Sequence, residues 1–264
     1  TANPEDYTNR GSIVTPLKDR IGSQILTHYP ESIQIAREIT AQEAKLDQHQ
    51  KESVYVPSLA LDIIEQIGFE ARDSEYIDYK SGVSARMSIT AFENLISTAE
   101  RRALKSGSSN TTVRLSDFMG IIPAITGKVE LVYEGEQEGA AIVAQHLIND
   151  AIKSYFPAYF PKIEKLEKNP DKSPYVKIIE WFFNESGFEL LDDVSDAEYK
   201  AQLDRIKPLD ELIQKYQPEI SKDDIYFIKE FILWGLVSYD KLSKDRIVDG
   251  YQFSDIIGNF INKM

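Results

Sequence analysis

The stretch SARMSITAFENLISTAERRAL, residues 84 to 104, decides the fold class. Its apolar positions recur at intervals of three and four, and they are Ile89, Phe92, Leu95, Ile96 and Ala99. This spacing places side chains on one face of a helix. The polar stretch KSGSSNTT follows directly and ends the pattern. The segment therefore predicts a long amphipathic helix that buries one face against other elements.

Helical periodicity continues on both sides of this segment. Before it, one helix is predicted from about residue 33 to residue 50, and another from Pro57, because proline suits the first turn of a helix. After it, helices are predicted over residues 115 to 125, from Ser173 to Gly187, and behind the capping signatures Ser195/Glu198 and Ser221/Asp224. A short run, Ser23 to Tyr29, reads as a strand. The sequence therefore predicts a mainly α-helical fold.

Composition limits the classes of function. The chain has 264 residues with 43 acidic against 30 basic side chains, and its formal net charge is -13. This balance opposes contact with phosphate backbones, so no nucleic-acid partner is expected. Cysteine is absent, which excludes disulfides and fits a reducing compartment. The longest apolar run, Phe231 to Val237, is too short to span a bilayer. We therefore expect a cytoplasmic protein without membrane contact.

Several catalytic motifs are missing from the chain. It has no Gly-x-x-x-x-Gly-Lys-Ser/Thr loop, and no apolar run ends in paired acids of the kind that hold Mg²⁺. The histidines, His28, His49 and His146, are too scattered to suggest a metal site. The chain opens with Thr1 and not with a methionine, so we expect a fragment or a processed product. A self-contained active site is not expected.

Four segments in order carry a resemblance to a known family. They are TANPEDYTNRG (1 to 11), TPLKDRIG (15 to 22), SQILTHYP (23 to 30) and SGVSARMSI (81 to 89). Together they resemble the second half of the AAA+ ATPase core and the lid of the magnesium chelatase I-subunit and MoxR group. The resemblance covers about residues 1 to 132.

The resemblance and the composition together suggest a domain organisation. Residues 1–30 would be the end of an AAA+ α/β core, and residues 31–110 a helical lid. Residues 111–138 would form a connecting helix and an acidic linker, because the stretch EGEQEG ends there. Residues 139–264 would form an α-helical C-terminal domain.

Two residues would act on the nucleotide of their own subunit. By resemblance, Asn3 is the sensor 1 residue, whose amide orients the attacking water beside the γ-phosphate. The alternative is that the Asn-Pro pair only shapes a turn. By the same resemblance, Arg86 is the sensor 2 residue, a lid arginine that contacts the phosphates near the start of a helix. The alternative for Arg86 is a solvated helix residue.

A third residue, Arg20, would act on a neighbouring subunit. It matches the arginine finger of the group, and its permanent charge suits the charge that develops on a transferred phosphoryl group. The match is not complete, because Lys18 and Ile21 stand where Leu and Phe are usual. Arg10 is the competing candidate for the finger, and a local ion pair with Asp19 is the simpler reading of Arg20.

The resemblance implies a ring-forming ATPase that couples ATP hydrolysis to remodelling of a partner. ATP and Mg²⁺ are expected for the intact protein and neither for this chain alone. Other copies in the ring are the expected partners, together with a protein that carries a von Willebrand-type domain. Two alternatives are a MoxR-type chaperone ATPase and a helical interaction or oligomerisation module over about residues 139–264. A transcriptional activator ATPase is disfavoured, because no basic helix-turn-helix is evident.

Overall fold

A computed structural model describes residues 19–23, 25–78, 82–163, 173–185 and 187–256. The helices of this part are α1 (Ile33–Glu43), α2 (Gln48–Ser53), α3 (Ser58–Asp73), α4 (Arg86–Lys105), the 3₁₀ helix (Leu115–Ile121), α5 (Ile122–Thr126), α6 (Tyr133–Glu138), α7 (Ala140–Tyr159), α8 (Val176–Asn184), α9 (Asp196–Asp204), α10 (Lys207–Tyr216) and α11 (Ile225–Ser238).

The strands form two small sheets. Strands β1 (Val54–Tyr55) and β2 (Thr111–Thr112) pair in parallel. Strands β3 (Phe188–Leu191), β4 (Ser243–Ile247) and β5 (Gly250–Ser254) form an antiparallel sheet in the order β3-β5-β4. The protein is mainly α-helical, and the predicted fold class is confirmed at that level.

Helix α4 is the centre of the first group of helices. It begins and ends close to the predicted limits, and it packs against α1, α2 and α3. Leu95, Ile96 and Ala99 of the predicted apolar face are buried, whereas Ile89 and Phe92 are half-buried. Periodicity therefore located both the helix and most of its packed face.

The predicted single helix over residues 33 to 50 is wrong, because α1 and α2 are separate. Asp47 starts α2, since its carboxylate accepts a hydrogen bond from the Gln50 amide at 2.8 Å. The Gln50 side chain accepts one from the Asp47 amide in return, at 3.4 Å. This reciprocal cap satisfies amides that would otherwise lack partners, and it favours a new helix start over continuation.

The strand predicted from Ser23 to Tyr29 is also not formed. Residues 25 to 30 have no regular secondary structure, and among the described residues no strand pairs with them. A strand needs a neighbour that takes its backbone hydrogen bonds. Ile25 and Leu26 of this segment are exposed.

Helix α11 lies in the interior, as its apolar sequence predicts. Its residues from Phe227 to Leu236 are buried, and it packs against α7, α9, α10 and the 3₁₀ helix. A Cβ atom on Gly235 would lie 2.2 Å from the Phe156 ring, so only glycine permits this approach of α11 to α7. No helix of the described part is both long and apolar enough to cross a membrane.

The sheet of β3, β4 and β5 was not predicted. Tyr251 and Phe253 of β5 alternate towards the core, where Tyr251 packs edge-on against Trp234 at 5.4 Å between ring centroids. Trp181 packs against Phe188 of β3 in the same way, at 5.7 Å. Trp234, Phe188, Tyr251 and Phe253 form one hydrophobic cluster with the buried residues of α3 and α4, and the half-buried Trp181 packs against it.

Two segments near the middle of the chain differ from expectation. The helix predicted over residues 115 to 125 is a 3₁₀ helix followed by α5, and Arg114 is its N-cap. The acidic stretch before Gly139 is helical and forms most of α6. Gly139 follows with a φ of +98°, a conformation that favours glycine.

Candidate functional site

The start of α4 carries Arg86, which the resemblance assigns to nucleotide contact. Arg86 is the first residue of the helix and is exposed. Ser84 accepts two hydrogen bonds in this turn, one at its carbonyl oxygen from the Met87 amide (2.8 Å) and one at Oγ from the Arg86 amide (3.3 Å). Among the described residues, no side chain pairs with the Arg86 guanidinium.

The charge of Arg86 opposes the dipole of its own helix. The first turn of a helix carries partial positive charge, so a cation there is unfavourable. Helix α4 has no acidic residue in its first turn to offset that charge. An anion held at this turn would interact favourably with both the guanidinium and the dipole.

Tyr29 connects the segment before α1 to the residues that directly precede α4. Its hydroxyl oxygen accepts a hydrogen bond from the Val83 amide at 3.0 Å. Its ring centroid lies 4.7 Å from the guanidinium carbon of Arg72, and that carbon lies 4.2 Å from the Phe69 ring centroid. Val83 is three residues before Arg86, so the contact places Tyr29 close to the first turn of α4.

A narrow cleft lies beside this turn. Tyr29, Ile39, Glu65 and Ala85 are among the residues that line it. Glu65 is buried and accepts a hydrogen bond from Thr40 Oγ1 at 2.6 Å, and burial raises the pKa of its carboxyl. The cleft has a volume of about 30 Å³, which is room for about one water molecule. It can therefore supply only one edge of a nucleotide site.

The other residues predicted to act on nucleotide are placed as follows. Asn3 and Arg10 lie outside the described residues. Arg20 is exposed in a turn, and within the described part its guanidinium makes no ion pair. In particular it does not pair with Asp19, which was the simpler reading of this arginine. No contact between Arg20 and Arg86 is present.

The three histidines have different surroundings. His28 is exposed with Nδ1 2.9 Å from the Tyr29 carbonyl oxygen, and Nδ1 of His49 lies 3.1 Å from Glu100. The ring of His146 lies 6.1 Å from that of Tyr76. Among the residues that the structure describes, no group of three metal-binding side chains is found.

A buried group of charged residues at the opposite end of α4 is the second distinctive feature. We call Arg102, Arg114, Asp117, Asp196 and Glu230 the charge cluster. Of these, only Asp196 is appreciably exposed, at 28% of its side chain. The sequence analysis did not predict the charge cluster.

Arg102 joins α4 to three other segments. Its Nε and Nη2 donate to the two carboxylate oxygens of Asp117 at 3.0 and 2.8 Å. Its other hydrogen bonds go to Thr111 Oγ1 (2.9 Å), the Thr112 carbonyl oxygen (2.9 Å) and Asp196 Oδ1 (3.4 Å). Burial lowers the pKa of Arg102, but the charge and hydrogen bonds of Asp117 together with the charge of Asp196 outweigh it, so the pKa is raised.

Arg114 extends the charge cluster to the segment before α9. Its guanidinium donates to the carbonyl oxygens of Asp192 and Val194, both at 3.1 Å, and to Asp196 Oδ1 at 2.8 Å. It also lies over the Tyr199 ring, 4.1 Å from the centroid. Asp196 therefore receives hydrogen bonds from both arginines of the charge cluster.

Glu230 connects α11 to the start of the 3₁₀ helix. Its carboxylate accepts from the amides of Leu115 (2.8 Å) and Ser116 (2.9 Å) and from the Tyr199 hydroxyl (2.8 Å). These bonds satisfy backbone amides that the helix itself leaves free. Burial raises the pKa of Glu230 to about 7, although the hydrogen bonds oppose the shift.

Glu230 should make stability depend on pH. Its folded-state pKa lies above the unfolded value of 4.5, so the stabilising contribution of the proton is complete below pH 4.5 and is lost as pH rises towards 7. Relative to Glu230→Gln, the wild type should lose on the order of 1 kcal/mol per pH unit in this window. Urea unfolding from pH 4.5 to 7.5 measures this. Glu136→Gln, an exposed carboxylate, is the control; a wild-type profile parallel to that of Glu230→Gln would contradict the assignment.

One sequence signal could have revealed the charge cluster. Leu95, Ala99 and Arg102 follow at intervals of four and three, so Arg102 falls on the buried face of α4. Arg101, its neighbour, falls on the exposed face. A charge at a core-facing position predicts a buried partner. The identity of that partner, Asp117, depends on the tertiary fold.

Comparison of the chain with protein-family models, with curated proteins and with solved structures finds no match in any of the three.

Proposed function

We propose that this chain is the lid and C-terminal region of an AAA+ ATPase of the magnesium-chelatase-like type, whose intact ring couples ATP hydrolysis to remodelling of a partner. The observation that carries the proposal is the exposed Arg86 at the start of α4, beside an exposed apolar face. In this proposal Arg86 contacts the phosphates of ATP, whose Mg²⁺ is held by acidic residues of the α/β core.

Exposed apolar residues near α4 support the proposal, because a second domain packed on them would remove them from water. Ile25, Leu26, Tyr29, Ile35 and Ile39 are all exposed. Two of them, Tyr29 and Ile39, line the cleft beside the first turn of α4. Large apolar side chains grouped in this way mark a contact surface. An α/β core that packed on this face would bury them, pair with the extended segment of Ile25 and Leu26, and supply the missing walls of the nucleotide site.

The electrostatics of Arg86 point the same way. An arginine that opposes its helix dipole and has no acidic partner in the described part is explained by an anionic ligand better than by the fold. The small cleft is consistent with this assignment, because it offers one edge of a site. The interaction-module alternative for residues 139–264 receives less support, because Trp234 is buried in the core and Trp181 is half-buried against Phe188.

Arg86→Ala tests the proposal by separating folding from binding. In this chain the variant should unfold at the same temperature as the wild type or slightly above, since a cation is removed from a helix start. In the intact ATPase it should weaken ATP binding about 10- to 100-fold, because a charge-assisted contact to phosphate is lost.

Thermal unfolding and calorimetric ATP titration are the two measurements. Arg101→Ala is the matched control, as it removes an exposed arginine from the same helix far from its start. It should leave both quantities unchanged. Unaltered ATP affinity in Arg86→Ala would count against the assignment of Arg86.

A further inference from the structure

Helix α4 connects the candidate nucleotide site to the charge cluster without interruption. Arg86 is its first residue and Arg102 lies in its last turn. Sixteen residues at a rise of about 1.5 Å each separate the two by roughly 24 Å. The helix contains neither glycine nor proline, the residues at which helices usually kink. A displacement of one end of α4 is therefore carried to the other.

The charge cluster fixes the far end of α4 to the C-terminal part of the chain. Arg102 bonds to Asp117 and Asp196, and Asp196 bonds in turn to Arg114. Glu230 holds the amides that directly follow Arg114. Residues of α4, the 3₁₀ helix, α9 and α11 thus share one network of hydrogen bonds.

A small displacement of α4 relative to α9 or the 3₁₀ helix is unfavourable within this network. Arg102, Arg114 and Asp117 are buried, so each of these charges depends on its partners for solvation. If one partner moved away, a buried charge would be left without compensation. Such a network holds its arrangement or breaks as a whole, and it does not deform gradually.

We propose that α4 and residues 188–254 form a single mechanical unit, held together by the charge cluster, which carries displacements of the Arg86 end to the C-terminal sheet and helices. The origin of the displacement in ATP binding rests on the proposed function, whereas the coupling itself does not. The C-terminal region would then be an arm that moves with the lid and presents a moving surface to a partner.

Amide hydrogen exchange of this chain tests the coupling without any nucleotide. Coupled segments open together, so the amides of the second half of α4, of the 3₁₀ helix and of α9 should exchange from one common opening. Asp196→Asn removes the charge shared by Arg102 and Arg114 and should accelerate exchange about tenfold in all three segments. The measurement is made at a pH where exchange reports the opening equilibrium.

Asp193→Asn is the matched control. Asp193 lies in the same segment and pairs with Lys105 of α4 at 2.7 Å, but both side chains are exposed. This variant should leave exchange in α4 and the 3₁₀ helix unchanged.

Several outcomes would overturn the proposal. Acceleration confined to α9 would show that the C-terminal region opens independently of α4. Equal effects of the two variants would show that the charge cluster does not hold the two together. If Asp196→Asn fails to fold, the wild type in low urea remains decisive, because an opening of α9 tenfold more frequent than that of α4 would contradict coupling. None of these results depends on ATP, so the proposed function is judged separately.

Discussion

Replacing Arg20 with alanine in the ATPase ring that we propose is expected to lower the rate of ATP hydrolysis by about 10³- to 10⁵-fold. A finger arginine stabilises charge that develops only in the transition state, so ATP binding should stay nearly unchanged. Arg20 suits this role in that it is exposed and makes no ion pair within the described residues. Steady-state hydrolysis and equilibrium ATP binding measure the two effects.

Mixing of subunits decides whether Arg20 acts across a subunit boundary. Arg20→Ala subunits, combined with subunits that are inactive in their own phosphate loop, should regain partial activity. A subunit with an inactive phosphate loop still carries Arg20, which can complete the ATP site of a neighbouring Arg20→Ala subunit. Arg86→Ala subunits should regain no activity in the same mixture. Their own ATP site is defective, and the site of the other subunit is disabled by its inactive phosphate loop. If Arg10→Ala subunits are rescued and Arg20→Ala subunits are not, the finger is Arg10.

The helices could be predicted from the sequence wherever one face is apolar and the ends carry a cap. α4 shows this through its period, and α9 through Ser195 and Glu198, whose reciprocal hydrogen bonds are present in the structure. α11 is predicted by the capping signature Ser221/Asp224 together with its apolar run. In each case a local pattern agrees with the burial that the fold imposes.

Elements that depend on distant partners could not be found in this way. Strand β4 reads SKDRI and shows no apolar alternation, because its stability comes from pairing with β5. Strand β5 does alternate at Tyr251 and Phe253, and Asp249-Gly250 is a turn signal that was available. The division between α1 and α2 was missed because the Asp47 cap interrupts an otherwise helical pattern.

The candidate site also has a part that the sequence could predict and a part that depends on contacts between distant residues. Arg86 is a candidate because of a resemblance in the sequence, and the structure places it in the exposed first turn of α4. The cleft beside it depends on Tyr29 meeting Val83, a contact between residues 54 positions apart. The charge cluster depends on still longer separations, since Glu230 meets Leu115 across 115 positions. No local pattern reports such distances.

Arg102→Ala is expected to lower the free energy of unfolding by about 3 to 5 kcal/mol. The variant leaves the Asp117 carboxylate buried at 4% exposure without its guanidinium partner. It also removes the donor to Thr111 Oγ1, and it leaves the Thr112 carbonyl oxygen with only the 3.4 Å hydrogen bond from Thr111 Oγ1. Urea unfolding followed by circular dichroism gives the change. Arg101→Ala, the exposed neighbour on the same helix, is the control and should change stability by less than about 0.5 kcal/mol.

A double variant separates the net contribution of the ion pair to the free energy of unfolding from the cost of leaving one buried charge without its partner. In Arg102→Met with Asp117→Leu, both charges are replaced by apolar side chains, so no uncompensated charge of this pair remains. Such replacements are often neutral or stabilising, because the desolvation of two charges is avoided. Asp117 also accepts from the Arg114 amide at 2.8 Å, and Asp196 would lose one of its two cations. The double variant should therefore recover about half of the stability lost in Arg102→Ala. A double variant no more stable than Arg102→Ala would mean that the hydrogen bonds to Thr111, Thr112 and Arg114, and not the buried charges, determine the stability of this junction.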